Sequence, residues 1–270
     1  MIEVSLIIVS YNTKKLLQEC LTSVFQYLQD TSFEAIVVDN GSADGSPEMV
    51  KSLFPDVKLI ETGENLGFAK ANNRGLEHAQ GEYLLLLNSD TRLKDDSIQK
   101  MITFCKEEKD SVVVASKLLL PDGSTQASCQ NLPTVIGAKK EFILGRKDSY
   151  LPYVPKEKEP VKVESAIAAC LLFPKKIFDV VGHFDERYFM YFEDLDLCRR
   201  LRNAHVPIYY LPSSGVIHVG GASGKNVPQK TYNMLLSSSY LYHGKIQAML
   251  IHLVIRIGSA LQKMKGRPSV

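Results

Sequence analysis

Five short, almost wholly apolar runs, each followed by a polar break and a helix-spaced segment, dominate the first 120 residues of this 270-residue chain. VSLIIVS (4–10), EAIVVD (34–39), VKLIE (57–61), EYLLLLN (82–88) and VVVAS (112–116) have the length and β-branched or leucine-rich character of buried strands. Lys14 to Leu28 carries Leu17, Leu21, Val24 and Phe25 at helical spacing, and Ser46-Pro47 offers an N-cap and an N1 proline for a helix to about Phe54. Further helices are expected from about Phe68 to Ala79, closed by Gly81, and from about Asp95 to Glu107. Strands alternating with helices at this spacing specify a parallel, doubly wound α/β sheet.

With 45% hydrophobic and 23% charged residues, the chain can fill a substantial core, which excludes disorder as its main state. Beyond residue 120 the pattern loosens. Pro121-Asp122-Gly123 reads as a hairpin turn, and 130–162, rich in Lys, Pro and Tyr, reads as a mobile lid or acceptor-facing loop. VESAIAACLLF (163–173) is expected as one strand, Pro174 to Gly182 as a short helix, Glu193 to Ala204 as a helix and PIYYL (207–211) as a strand. Residues 121–224 thus extend the sheet begun by 1–120, and 225–270 form a tail. Five scattered cysteines without a CxxC pair suit a reducing compartment. MIEVSLIIVSYN lacks a basic leader and reads as a first strand, so a cytoplasmic enzyme is expected.

Ligands of such sheets sit beyond the carboxyl ends of the strands. Tyr11 and Asn12, Asp39 and Asn40, and Asn88 to Asp90 all fall there. Any one of them could be a plain turn former; three clusters on one edge point to a site. GxGxxG after a strand and GxxxxGK[ST] are both absent, which argues against a dinucleotide dehydrogenase and a P-loop enzyme. Asp90 suits a hard Mg²⁺ or Mn²⁺ that takes further ligands from a substrate diphosphate, although an Asx turn would also place an Asp there. His218, in VIHVGGASG, is a competent ligand for Mn²⁺, and the glycines after it would let phosphate oxygens approach; core packing is its other use. Glu193, Asp194 and Asp196 open a helix behind the aromatic stretch RYFMYF. A helix dipole accounts for acids in a first turn, but three in four positions exceed that need. An apolar setting would raise a carboxylate's pKa into the range of a general base.

Six segments in series, SYN (10–12), DNGSADGS (39–46), NLGFAKANNRG (65–75), GEYLLLLNSDT (81–91), GHFDERYFMYFEDLDLCRRLRNA (182–204) and HVGGASG (218–224), resemble the GT-A family 2 glycosyltransferases, and among them the bacterial rhamnosyltransferase-like enzymes of cell-wall and O-antigen assembly. The resemblance implies a GT-A fold over residues 1–224, with 1–120 the nucleotide-binding half and 121–224 the acceptor-binding half. It also implies an inverting transfer of a sugar, rhamnose first, from a dTDP- or UDP-linked donor to a saccharide or polyprenyl-diphosphate-linked acceptor. Carried over by position, Asp39 binds the donor base, with Ser10 and Asn12 beneath the nucleoside. Asn65, Gly67 and Asn72 support the donor from the third loop. Asn88, Ser89 and Asp90 form the DXD-type motif, with Asp90 and His218 on the metal, Asp194 the catalytic base and Glu193 its neighbour facing the acceptor. The first position of that motif is Asn88 where an acid is usual, which bears on the number of direct protein–metal bonds.

Charge is split along the chain: ten of the 32 basic residues and none of the 30 acidic ones follow Asp196. QAMLIHLVIRIGSAL (247–261) is apolar but interrupted by His252 and Arg256 and too short for an unbroken span of ~20 residues. Flanked by Lys245, Lys263, Lys265 and Arg267, it fits an amphipathic segment lying on an anionic membrane at the cytoplasmic face; packing on the domain or in a homodimer is its alternative use. Nucleic acid is not an expected partner, because aromatics are not interleaved with the basic residues. A sugar-1-phosphate nucleotidyltransferase would need a glycine-rich basic loop after the first strand, where Ser10-Tyr11-Asn12-Thr13 stands. A nucleotide-sugar-binding module without activity would have no use for both Asp90 and Asp194.

Overall fold

A computed structural model describes residues 1–220 and 228–264. Its first half follows the alternation in the sequence: β1 (Val4–Ser10), α1 (Lys14–Tyr27), β2 (Phe33–Asp39), α2 (Ser46–Leu53), β3 (Lys58–Glu61), α3 (Phe68–Leu76) and β4 (Tyr83–Asn88). β1 pairs in parallel with both β2 and β4, so that Ser10 lies opposite Asp39, and Val9 opposite Asn88. β1, β2 and β4 are mostly apolar because both sheet faces are covered. Leu6 and Ile8 of β1, Val37 of β2 and Leu85 and Leu87 of β4 pack under α1 and α2, while Ile7, Ile36, Leu84 and Leu86 pack under α3.

The chain continues through β5 (Thr91–Leu93), α4 (Ser97–Glu107), β6 (Val113–Leu119), β7 (Cys129–Gln130), α5 (Val135–Ala138), a π-helical turn (Lys139–Ile143), β8 (Val161–Val163), β9 (Ser165–Ala166), β10 (Cys170–Pro174), α6 (Lys176–Val181), α7 (Glu193–Asn203), β11 (Ile208–His218), α8 (Pro228–His243) and α9 (Lys245–Met264). The main sheet has the order β3-β2-β1-β4-β10-β6-β11-β5, with β8 also paired to β11. It is mostly parallel rather than wholly so: β10 runs antiparallel between β4 and β6, and β5 and β8 run antiparallel to β11.

Four local expectations are corrected. Residues 130–162 are not a free loop: α5 and the π-helical turn bury Ala138 and Phe142 against Ile251 of α9. The apolar run 163–173 is broken, since the chain leaves β9 at Ala166 and turns through Ile167–Ala169, where the Ala169 carbonyl accepts a hydrogen bond from Asn88 N, before starting β10. PIYYL is the first part of an 11-residue strand that passes an irregularity between Leu211 and Gly215 and runs on to His218. Ser46 does not cap α2: Gly45 holds the N-cap position without a side-chain cap, and Asp44 before it accepts from Ser46 N and Oγ at 3.0 and 2.5 Å. The tail forms two helices separated by Gly244, which takes φ = +73°. All five cysteines are free and buried, and burial pushes their thiols up to about 12, where they are inert.

Candidate active site

A cavity of about 250 Å³ opens at the carboxyl edge of β1, β2 and β4. Asn88, Ser89 and Asp90 from the end of β4, Asn65 and Gly67 from the loop before α3, Glu193 and Asp194 from the start of α7, and His218 from the end of β11 all line it. Asp90 and Asp194, 104 positions apart in sequence, share this one space.

Strand register brings the first pair of groups together. Thr91 of β5 pairs with His218 of β11, and Val219 N donates to the Asp90 carbonyl at 3.0 Å. His218 Nε2 therefore sits 3.3 Å from Asp90 Oδ1 and 3.3 Å from Asn88 Nδ2. On its other side Nδ1 lies 2.8 Å from Gln126 Oε1. With that amide oxygen as acceptor, Nδ1 carries the proton, and the Nε2 lone pair faces a carboxylate oxygen. The same lone pair also faces Asn88 Nδ2, a donor at 3.3 Å. The donor set, one carboxylate and one imidazole, fits a divalent ion that fills its remaining positions with water and a diphosphate. Among the described residues no three His, Cys, Asp or Glu side chains converge.

The acids of α7 divide by environment. Asp196 is paired, accepting from Arg199 at 2.7 Å and Arg200 at 2.9 Å, and Arg200 in turn reaches the Val181 and Gly182 carbonyls. Among the described residues Glu193 and Asp194 have no such cation. Glu193 is buried, its Oε2 has no hydrogen-bond partner, and burial followed by the neighbouring Asp194 charge pushes its pKa well above the ordinary value. Asp194 is half-buried and open to the cavity. Burial raises its pKa to about 6, against hydrogen bonds from the Leu195 and Ala168 amides that hold the carboxylate in place. Tyr191 and Phe192, immediately before them, have φ of +70° and +66°, a left-handed conformation that costs of order 1–3 kcal/mol per residue and clusters at functional sites. Phe192 is fixed there by packing on Tyr242 and His243 of α8.

The loop before α3 is clamped to the sheet edge. Asn40 Nδ2 donates to Asn65 Oδ1 and the Gly67 carbonyl, and Asn40 Oδ1 accepts from Leu66 N at 2.8 Å. Gly67, at φ = +84°, lies so close to the aromatic segment that a Cβ would fall 2.3 Å from the Phe189 carbonyl oxygen, which accepts from Phe68 N at 2.7 Å. Asp39 is buried under the same loop; Oδ2 accepts from Ser42 N at 3.0 Å, while Oδ1 has no partner.

Other residues expected at the site lie behind it. Ser10 is buried in a hydroxyl chain, Ser10–Thr13–Ser89, with both links at 3.0 Å. Asn12 is exposed, accepts from Ala43 N and braces the 42–44 turn. Asn72 does not reach the cavity: it is buried in α3 and donates to the Phe68 carbonyl one turn back. Gly221 and Gly224 lie outside the described residues. Gln126 and Met190 were missed; a glutamine 92 positions from the histidine it orients leaves no sequence signal.

The model of the family described as glycosyl transferase family 2 matches residues 5–153, more than half of the chain. The chain is 30% identical over 224 residues to N-acetylglucosaminyl-diphospho-decaprenol L-rhamnosyltransferase of Mycobacterium tuberculosis, covering 77% of this chain and 73% of that one. It is 25% identical over 255 residues to rhamnosyltransferase WbbL of Escherichia coli K12, covering 88% and 92%. Among solved structures, GalNAc-T7 with UDP, GalNAc and Mn²⁺ superposes with a TM-score of 0.64 at 14% identity, over 81% of this chain and 44% of that one. S. aureus TarS does so at 0.59 and 17% identity, over 94% and 42%. These two likenesses show the fold, and this chain spans less than half of either. A cleft at the strand ends, a mostly parallel sheet with β10 inserted antiparallel and the family match over its first half agree: the chain has the GT-A fold, belongs to glycosyltransferase family 2 and is a glycosyltransferase.

Proposed function

We propose that the chain transfers a sugar, rhamnose in the first instance, from a dTDP- or UDP-linked donor to a hydroxyl of a saccharide or polyprenyl-diphosphate-linked acceptor, with inversion. The observation that carries this reading is the single cavity shared by Asp90, His218, Glu193 and Asp194. The names of the two relatives, both rhamnosyltransferases, support the donor sugar.

Asp39 Oδ1, buried and unpartnered, is the acceptor for a base N–H, and the Ser42 amide holds the carboxylate for it. Asn65 and Gly67, clamped by Asn40, form the rim over the donor. Asp90 and His218 would hold Mg²⁺ or Mn²⁺, which neutralises charge developing on a leaving diphosphate. Asp194 takes the proton from the attacking hydroxyl. Its pKa of about 6 leaves it ionised near neutral pH yet more basic than an exposed aspartate. Glu193, beside it, accepts from a second acceptor hydroxyl through Oε2.

A positioned base contributes about 10²–10⁴-fold. Asp194→Asn is therefore expected to lower turnover with dTDP-rhamnose and Mn²⁺ by that factor while donor affinity stays within about twofold; equal losses in both would remove the base from Asp194. The chain's place at a membrane is part of the same proposal. Among the described residues no helix is long and apolar enough to cross one, but α9 exposes Ile246, Met249, Leu250, Leu253 and Ile257, a row that fits peripheral seating on an anionic cytoplasmic surface.

A further inference from the structure

Tyr191 and Phe192, the two residues before the α7 acids, are bulky, and both take the left-handed conformation. Phe192 is also the N-cap residue of α7, and no side chain caps the helix there. Residues in that region persist only where their surroundings hold them. One face of α8 does so here. Ser238, buried, donates through Oγ to the Met190 carbonyl at 2.8 Å. Four residues on, and so on the same face, Tyr242 packs on Phe192 with ring centroids 5.3 Å apart. His243 meets the same ring edge to face at 5.7 Å. Burial, and after it the Arg199 charge, lowers the His243 pKa to about 4, so it packs there uncharged.

α7 reaches back to that face. Arg199 lies 4.1 Å over the Tyr242 ring, donates to the Tyr242 carbonyl at 3.0 Å and to Asp196 at 2.7 Å. Asp196 N donates in turn to the Phe192 carbonyl at 2.8 Å. The contacts Phe192–Asp196–Arg199–Tyr242–Phe192 thus close a ring around the first turn of α7, where Glu193 and Asp194 stand. This gives a use to Asp196, which does not line the donor-side cavity. α8 lies outside the residues 5–153 matched to the family. Its Leu235, Leu236 and Tyr240 line a second cavity, of about 540 Å³, with Ile255 of α9; Ser238 and Tyr242 do not line it and face the aromatic segment instead.

We propose that Ser238 and Tyr242 are positioning residues for the Asp194 base: they hold Met190 to Phe192 in the left-handed turn, which fixes where α7 begins and therefore where the Asp194 carboxylate stands in the cavity. This rests on the transferase reading above and deepens it by naming what holds its base. Released from α8, Tyr191 and Phe192 relax towards negative φ, and the first turn of α7 turns with them. Asp194 then moves, whereas Asp90 and His218, fixed by strand register, do not. The effect therefore falls on turnover rather than on donor binding. A displacement of about 1 Å at a reacting group can cost about 10²-fold.

The test pairs kinetics with amide hydrogen exchange on the full chain. With dTDP-rhamnose and Mn²⁺, Ser238→Ala and Tyr242→Leu are expected to lower kcat at least about tenfold with donor KM within about twofold. Tyr242→Phe, which keeps the ring, should restore the parent's rate. In an Asp194→Asn background the first two substitutions should change turnover by less than about twofold, because the base they position is gone. Independently of turnover, the amides of 192–196 should exchange at least about tenfold faster in both variants while those of β4 are unchanged. Ser238→Ala deletes a single oxygen, so its result decides the matter even where Tyr242→Leu does not fold. An unchanged kcat, a loss that is equal with and without Asp194, or unchanged exchange at 192–196 overturns the proposal and leaves α8 as a cover for apolar surface. A parent with no turnover of dTDP-rhamnose refutes the transferase reading, and the exchange result then decides this one alone.

Discussion

On one side of Asp194 the cavity wall is the edge of a sheet; on the other it is a pair of helices docked on the body. The donor-side wall is polar and held by backbone register: Ser10 opposite Asp39, Val9 opposite Asn88 and His218 opposite Thr91. The opposite wall is apolar and held by side-chain packing, Phe142 and Ala138 on Ile251, and Arg199 stacked 4.1 Å over the Tyr242 ring while donating to its carbonyl. A ladder of hydrogen bonds fixes atoms to fractions of an ångström, which a reacting diphosphate needs. Packing between helices tolerates exchange of one apolar side chain for another. The difference suggests a division in which the chemistry common to a family sits on the sheet and the choice of acceptor sits on the helices.

The largest effect is expected at Gly67, where the sheet-edge loop touches the aromatic segment that leads into Asp194. Its φ of +84° with ψ of 174° is a region nearly closed to other residues, and a Cβ would fall 2.3 Å from the Phe189 carbonyl oxygen. Gly67→Ala should destabilise by about 2–4 kcal/mol, lowering Tm by roughly 4–16 °C. It should also shift the aromatic segment that leads into Asp194, so donor hydrolysis and transfer fall together. An unchanged melting curve would show that the segment yields freely and that the two walls are not coupled through it.

Gly258 supplies a smaller and more selective test. A Cβ there would stand 2.5 Å from Phe142 Cβ and 2.6 Å from its carbonyl oxygen, so Gly258→Ala forces α9 away from the π-helical turn. Overpacking of this kind costs about 1–3 kcal/mol. If the helical wall serves the acceptor alone, acceptor KM rises severalfold while donor hydrolysis with Mn²⁺ is unchanged. A parallel fall in donor hydrolysis would join the two walls into one site.

The same contrast explains what the sequence reveals. β1, β2 and β4 are legible because both faces are covered and most of their residues are apolar; their polar ends follow at once, so Asp39, Asn88 and Asp90 stand out. The paired acids at the start of α7 are legible too, but only the fold separates Asp196, held by two arginines, from Glu193 and Asp194, which have none. The π-helical turn KKEFI reads as polar loop, since the glycine that accommodates Phe142 lies more than a hundred residues downstream. β10 looks like the end of one long strand because an apolar run carries no mark of the turn at Ile167–Ala169 that separates it from β9 and sends it into the main sheet. Asn72, polar in a conspicuous motif, satisfies its own helix. Long-range pairing, not residue type, decides each of these.

Asp194 gives the smallest predicted change and one that separates its two roles by sign. Its folded pKa is raised from 3.8 to about 6 by burial, so the native state binds the proton more tightly than the unfolded chain. Stability from this group is then full below about pH 4 and declines as pH rises to about 6, above which the whole penalty applies. Asp194→Asn should therefore be more stable than the parent at pH 7–8 by about 1–2 kcal/mol, converging with it near pH 4. That is less than the full shift would give, because the carboxylate opens to the cavity and keeps some water. Under the proposed role as base, turnover runs the other way: protonation would remove the base, and the parent's rate is expected to fall as pH drops through about 6. One carboxylate thus makes the enzyme sturdier in the range where it makes it slower. Thermal melts and kcat profiles over pH 4–8 read both limbs; a variant no more stable than the parent at pH 8 would mean that Asp194 is solvated, and that its strength as a base has another source.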